Sequence, residues 1–360
     1  MGPVAKTEVE AQLVDAGVHP LVRQANDLRE YMKEPYKSMP FPGPERFYYP
    51  HPIGEHHPDA KPAQGLPGSD PDLLERQLFE ANGVDFAVLL PLTRGLLPDA
   101  ELGNAVAAAT NEWLADTWLS KYNQHGRYRG TIRVNPMTPD QAAREIEKWA
   151  GHPYFVQVAV PMQSHHPYGQ RQYHPIWEAA ARHNLPVAIH ADGGSSVDFW
   201  PTPAGYLTHF IEYSTFYPIN FAFHLVSFMA EGVFDRFEQF KVVFADGAHD
   251  MLAPIVWRMD KDWRPTRHEM PWMKHMPNHY LKDHVLFLAH KLEGPSDPAI
   301  MAEWLAINEA GNTLLFASNY PQWDFNVPKG AFVDVPADMR RRIVLENARE
   351  LYKLPATRSA

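Results

Sequence analysis

After Pro71 the chain alternates between short apolar runs and longer segments whose apolar positions recur at helical spacing. The runs are DFAVLL (85–90), YRGTIRV (128–134), FVQVAV (155–160), PVAIH (186–190), KVVFA (241–245), VLFLA (285–289) and LLFAS (314–318); an earlier one covers 13–19. Continuous apolar runs of this length mark strands covered on both faces, as in parallel sheets. Helical spacing predicts helices over 73–82, 99–122, 139–150, 173–183, 219–236, 249–263, 299–308 and 338–352. Gly83 stops the first, and Thr138 and Pro139 open the third as cap and first helical position. No Gly-rich phosphate fingerprint follows an early strand, which argues against an open doubly wound sheet. The rhythm predicts a (β/α)₈ TIM-type barrel.

Residues 35–71 interrupt this rhythm with a stretch dense in Pro, Gly and His. A loop of that length either covers a site, mediates contacts or forms an extended surface arm. The expected organisation is a polar tail over 1–12 and one barrel domain over 13–356 carrying the Pro-rich insertion. The formal charge of -10 opposes a nucleic-acid partner, because phosphate binding needs a basic face. The absence of cysteine excludes disulfides, thiolate metal sites and thiol nucleophiles. With no apolar leader and no run of apolar residues long enough to span a bilayer, the expectation is a cytoplasmic protein without membrane contact. The arm and an aromatic content of 12% hint at subunit contacts.

In a parallel barrel the chemistry sits where the strands end at their C-termini. Here those ends carry His19, then His190 with Asp192, then Asp246 with His249, then His290, then Asn319 through Asp324. Each alone reads as a hydrogen-bonded structural residue; their meeting at one rim is what suggests a site. His224 lies in FAFHLVSF, where it is either a core histidine or a group pointing to the mouth. His249 either caps its helix or reaches in, and Asp246 before Gly247 is either a turn residue or an acid–base group. Tyr320 and Trp323 shape the mouth by packing or by substrate contact, with Asn319 beside them as a further substrate contact.

The stretches DAGVHP (15–20), GVDFAVLLPL (83–92), YRGTIRVNPMTPDQAAREIE (128–147), PYGQRQYHPIWEAAARHNLPVAIHADGG (167–194), EGVFDRFEQFKVVFADGAHDMLAPIVWRMD (231–260), LLFASNYPQWDF (314–325) and IVLENARELYKL (343–354) resemble the amidohydrolase-related, decarboxylase-like branch of the amidohydrolase superfamily. That resemblance implies one divalent metal, zinc or manganese, at the barrel mouth, with His19 and His190 as ligands. It implies hydrolysis or decarboxylation of a small carboxylated or cyclic substrate, with Asp246, His249 and His224 as candidate catalytic groups.

Three positions depart from the family pattern. Gly17 stands where the family has His, Asp or Glu; Asn319 replaces the Asp, and Gln322 the His, of Ser-Asp-Tyr-Pro-His. An amide is neutral, binds hard cations weakly and is no base near neutral pH. Metal could therefore be absent. The alternative reading is a catalytically degenerate barrel that serves as scaffold or regulatory partner of an active homologue, in a homo- or hetero-oligomer.

Overall fold

The computed structural model describes residues 8–24, 26–39, 56–93, 96–192, 205 and 207–359. Eight parallel strands follow one another around a single sheet: β2 (Val14–Val18), β3 (Phe86–Leu89), β4 (Tyr128–Arg133), β5 (Phe155–Pro161), β6 (Val187–His190), β7 (Val242–Ala245), β8 (Val285–Ala289) and β9 (Leu314–Phe316). The sheet closes where Val18 bridges in parallel to Tyr320, with His19 N donating to Tyr320 O at 2.7 Å and Asn319 N to Gly17 O at 3.2 Å. The expected (β/α)₈ barrel is thus present. Its strands read as apolar runs because both faces are covered: every residue of β3, β6, β7, β8 and β9 is buried.

The expected helices are there with breaks that follow from backbone chemistry. The predicted 219–236 helix divides into Ile219–Ala230 and Val233–Arg236, because Gly232 adopts φ +67 between them. That left-handed conformation suits glycine and ends the first helix. Thr138 precedes Pro139 as expected, yet its hydroxyl donates to Asn104 Oδ1 at 2.8 Å and does not cap the helix.

Two further features lay outside the sequence reading. Within the predicted tail, β1 (Glu8–Glu10) pairs antiparallel with β10 (Thr357–Ser359), tying the two ends of the chain together. The helix Phe210–Phe216 precedes Ile219–Ala230. Of the Pro-rich insertion, positions 40–55 lie outside the described residues. The described part packs on the loop after β9: His56 bridges to Gln322, and His57 N donates to Pro321 O at 2.9 Å.

Candidate active site

Two imidazoles from opposite parts of the chain meet at the C-terminal rim. His19 and His190 are both buried, and their ring centroids stand 4.8 Å apart. Each ring is anchored through Nδ1: His19 to Leu90 O at 2.9 Å, and His190 to Asp192 Oδ1 at 3.1 Å. A carbonyl or carboxylate can only accept, so Nδ1 carries the proton in both rings. In a neutral ring that leaves the lone pair on Nε2. Burial, with His190 adding, pushes His19 down to about 4, so that lone pair is free at neutral pH.

Behind His190 lies a buried ion pair. Asp192 is fully buried; its second oxygen pairs with Arg133 Nη2 and accepts from Thr93 Oγ1 at 2.7 Å. Burial alone would raise this carboxyl, but Arg133 and His190 outweigh it and hold it below the usual range. Arg133 ends β4 with 1% exposure. Arginine is the residue suited to a buried carboxylate partner because it stays charged and presents a planar fork. Beside it a cavity of about 20 Å³, lined by Thr93, Asn135 and Pro161 among others, has room for one water.

A second cluster occupies the ends of β7, β8 and β9. His290 Nδ1 lies 2.5 Å from Asp246 Oδ2 in an ion-pair contact, and its Nε2 lies 3.0 Å from Asp324 Oδ2. Asn319 donates from Nδ2 to the other oxygen of Asp324 at 2.8 Å. Against burial, which alone would lower it, the two carboxylates raise His290 to about 10. Asp246 also contributes to the field at His19, which links the two clusters. The wall beyond is aromatic: Trp323 packs edge-on against Phe210 at 5.8 Å, with Lys291 Nζ 5.4 Å from its ring centroid.

Other expected site residues have their side chains engaged elsewhere. His224 is buried and stacks on Tyr168 at 4.5 Å; its Nδ1 accepts from Tyr168 N at 3.2 Å and its Nε2 donates to Met162 O at 2.7 Å. His249 Nε2 lies 3.1 Å from Asn308 O and 3.2 Å from Thr313 Oγ1, with its ring against Phe287. Both histidines are thus engaged in holding backbone. Tyr320 is 1% exposed and packs edge-on to Phe325. The sequence reading misses Arg133, and His290 and Asp324 enter it only among the residues that follow strands. The available signal for Arg133 was a charge inside a strand that must be covered on both faces.

Gly17 is closed rather than merely empty. A Cβ there would lie 2.8 Å from Ala317 Cβ, just past β9, and 3.4 Å from Leu288 Cδ1 on β8. Gly17→Ala is expected to cost about 1–3 kcal/mol by overpacking, read as a lower midpoint in urea. An unchanged midpoint would show that β2 and β9 can part without strain. Under Gly17, Asp15 is fully buried; its Oδ1 accepts from Ser318 N at 2.9 Å and Gly17 N at 3.2 Å, and burial pushes it up to about 6.

A closed parallel barrel with paired imidazoles at its C-terminal rim defines the class. The family model described as "Amidohydrolase" matches residues 14–354, and the chain belongs to that family. Among solved structures it is similar to an amidohydrolase, map2389c, from Mycobacterium avium subsp. paratuberculosis K-10 (16% identity, 96% of this chain and 100% of that one, TM-score 0.72). It is similar to the 5-carboxyvanillate decarboxylase LigW from Sphingomonas paucimobilis (19% identity, 96% and 99% covered, TM-score 0.65). A third is a dihydroxybenzoic acid decarboxylase from Polaromonas sp. JS666 with bound manganese and the inhibitor 2-nitroresorcinol (18% identity, 96% and 97% covered, TM-score 0.65). No curated protein matches the sequence. Among the described residues no helix is long and apolar enough to cross a membrane.

Proposed function

We propose that the chain is a metal-assisted enzyme acting on a small ring-bearing carboxylic acid, with decarboxylation favoured over hydrolysis. The observation that carries this reading is the His19–His190 pair, two buried rings 4.8 Å apart, each anchored through Nδ1 with Nε2 outside that contact. This donor chemistry fits a borderline divalent cation such as manganese or zinc, whose histidine ligands regularly pass their other nitrogen to a carbonyl or carboxylate. Among the described residues no group of three His, Cys, Asp or Glu stands ready to hold such an ion. His19 and His190 would therefore hold it with water or substrate completing the set. When bound, the metal would supply Lewis-acid polarisation of a substrate oxygen.

The chain's own residues account for the remaining requirements. Trp323 and Phe210 offer an apolar wall to a ring, and Lys291 beside Trp323 offers a cation to a carboxylate. Loss of carbon dioxide breaks the bond between ring carbon and carboxyl carbon and leaves the electron pair on the ring. A proton must then reach that carbon; Asp246 would take it from solvent and pass it on, while His290 keeps its own proton and steadies the carboxylate. The neighbours that act on hydroxylated benzoic acids support this substrate class.

The test is elemental analysis of protein purified without chelator, followed by incubation with manganese and a panel of hydroxybenzoates while carbon dioxide is measured. Near-stoichiometric metal and turnover are expected. Both should vanish in His190→Ala, and Asp192→Asn should weaken metal binding by about 10–100-fold. Protein that takes up no manganese or zinc and releases no carbon dioxide would sink this reading and leave the scaffold alternative standing.

A further inference from the structure

At the ends of β7, β8 and β9 one imidazole stands between two carboxylates. An imidazole can offer a proton to two carboxylates only when both nitrogens carry one. His290 faces Asp246 through Nδ1 and Asp324 through Nε2, at 2.5 and 3.0 Å. All three side chains are largely withdrawn from solvent, at 13–15% exposure. Two carboxylates at those distances from its two nitrogens favour a charged ring, with Nδ1 meeting Asp246 as an ion-pair contact and not as an aligned hydrogen bond.

The neighbours reinforce that state. Asn319 donates to Asp324 Oδ1 at 2.8 Å, which holds that carboxylate beside His290. On the other side Tyr217 OH donates to the backbone oxygen of Asp246 at 2.8 Å and fixes the loop that carries it. The remaining charged groups acting on the cluster are Lys291, which favours the ionised form of Asp324, and Glu293 and Asp250 near Asp246. Asp246 and Asp324 together with His290 leave one net negative charge, and Asp246 is the member whose field reaches His19.

We infer that His290 is a standing imidazolium and a positioning residue, held by Asp324 and Asn319 so that it fixes the Asp246 carboxylate at the barrel mouth. This inference rests on the clamp alone and holds whichever substrate or metal the mouth takes. It also explains why residue 319 is useful as an amide: a carboxylate there would face Asp324 at hydrogen-bond distance with no proton between them.

The test is ¹⁵N NMR of histidine-labelled full-length protein, with His290→Gln used to assign the signal. One ring, absent in the variant, should show both nitrogens protonated at pH 8, about 1.5 units above the ordinary histidine value. Asp324→Asn should bring its titration down by at least one pH unit. A neutral His290 ring at pH 8 in the unaltered protein would overturn the inference, whether or not the variants fold. A titration unmoved by Asp324→Asn would overturn the role of Asp324.

Discussion

Arg133→Met is expected to destabilise the protein by about 3–5 kcal/mol, the loss typical when one partner of a buried ion pair is removed. The reason is the carboxylate left behind. Asp192 is fully buried, and its oxygens are shared among Arg133, Thr93 and His190. Without the guanidinium, burial is the largest influence on that carboxyl and favours its neutral form. A protonated Asp192 can donate to His190 Nδ1, which would move the ring proton to Nε2 and remove the lone pair that faces the mouth. One substitution on β4 therefore links stability to the state of a rim histidine. Urea unfolding gives the first quantity and manganese binding the second. Arg133→Met combined with Asp192→Asn should recover part of the stability, because the amide needs no counter-charge and its oxygen still accepts from His190. A single variant that loses less than about 1 kcal/mol would show that the pair is not closed in solution.

The barrel was legible in the sequence because parallel strands covered on both faces are continuous apolar runs, and each of the eight fell where its run lay. His19 and His190 were legible for a related reason: strand ends converge in a barrel however far apart they are in the chain. What the sequence concealed is set by partners rather than by position. His290 reads as a strand-end residue; only the paths of the loops after β7 and β9 bring Asp246 and Asp324 to its two nitrogens. His224 and His249 carry the same residue type as His19, one within a helix and one just after β7. They differ in that Met162 O and Asn308 O take up their ring nitrogens, a fact of packing with no local pattern. The pairing of β1 with β10 joins segments from opposite ends of the chain, and three-residue strands leave no periodicity to read. Gly17 is the instructive case. It reads as a missing ligand, while the structure shows a position with no room for a side chain.

Acidification from pH 7 to pH 4 is expected to remove a large share of the folding free energy, and the core histidines are the main cause. Burial holds His224 and His249 down to about 4, against 6.5 for a free imidazole. Between those values the unfolded chain takes up protons that the native state refuses, so stability is lost as pH falls below 6.5 and the loss is complete near 4. At 1.4 kcal/mol per pH unit each ring contributes about 3 kcal/mol. Asp15 acts in the opposite sense. Its native value near 6 lies above the unfolded 3.8, so the native state binds its proton first and gains about 3 kcal/mol as pH falls through that window. Asp192 and Asp324 are held low and lose their contribution on the acid side. The balance is a net loss of at least about 3 kcal/mol, set against a typical domain stability of about 5–15. His290 plays no part in this limb: its contribution is full below 6.5 and is lost only as pH rises through about 10. Urea unfolding at pH 7.0, 5.5 and 4.5 measures the slope directly. His249→Gln, whose amide can still donate to Asn308 O, should flatten the acid limb by about 3 kcal/mol even though it lowers stability at pH 7. A limb equally steep in that variant would mean that His249 titrates normally and is not sealed in the core.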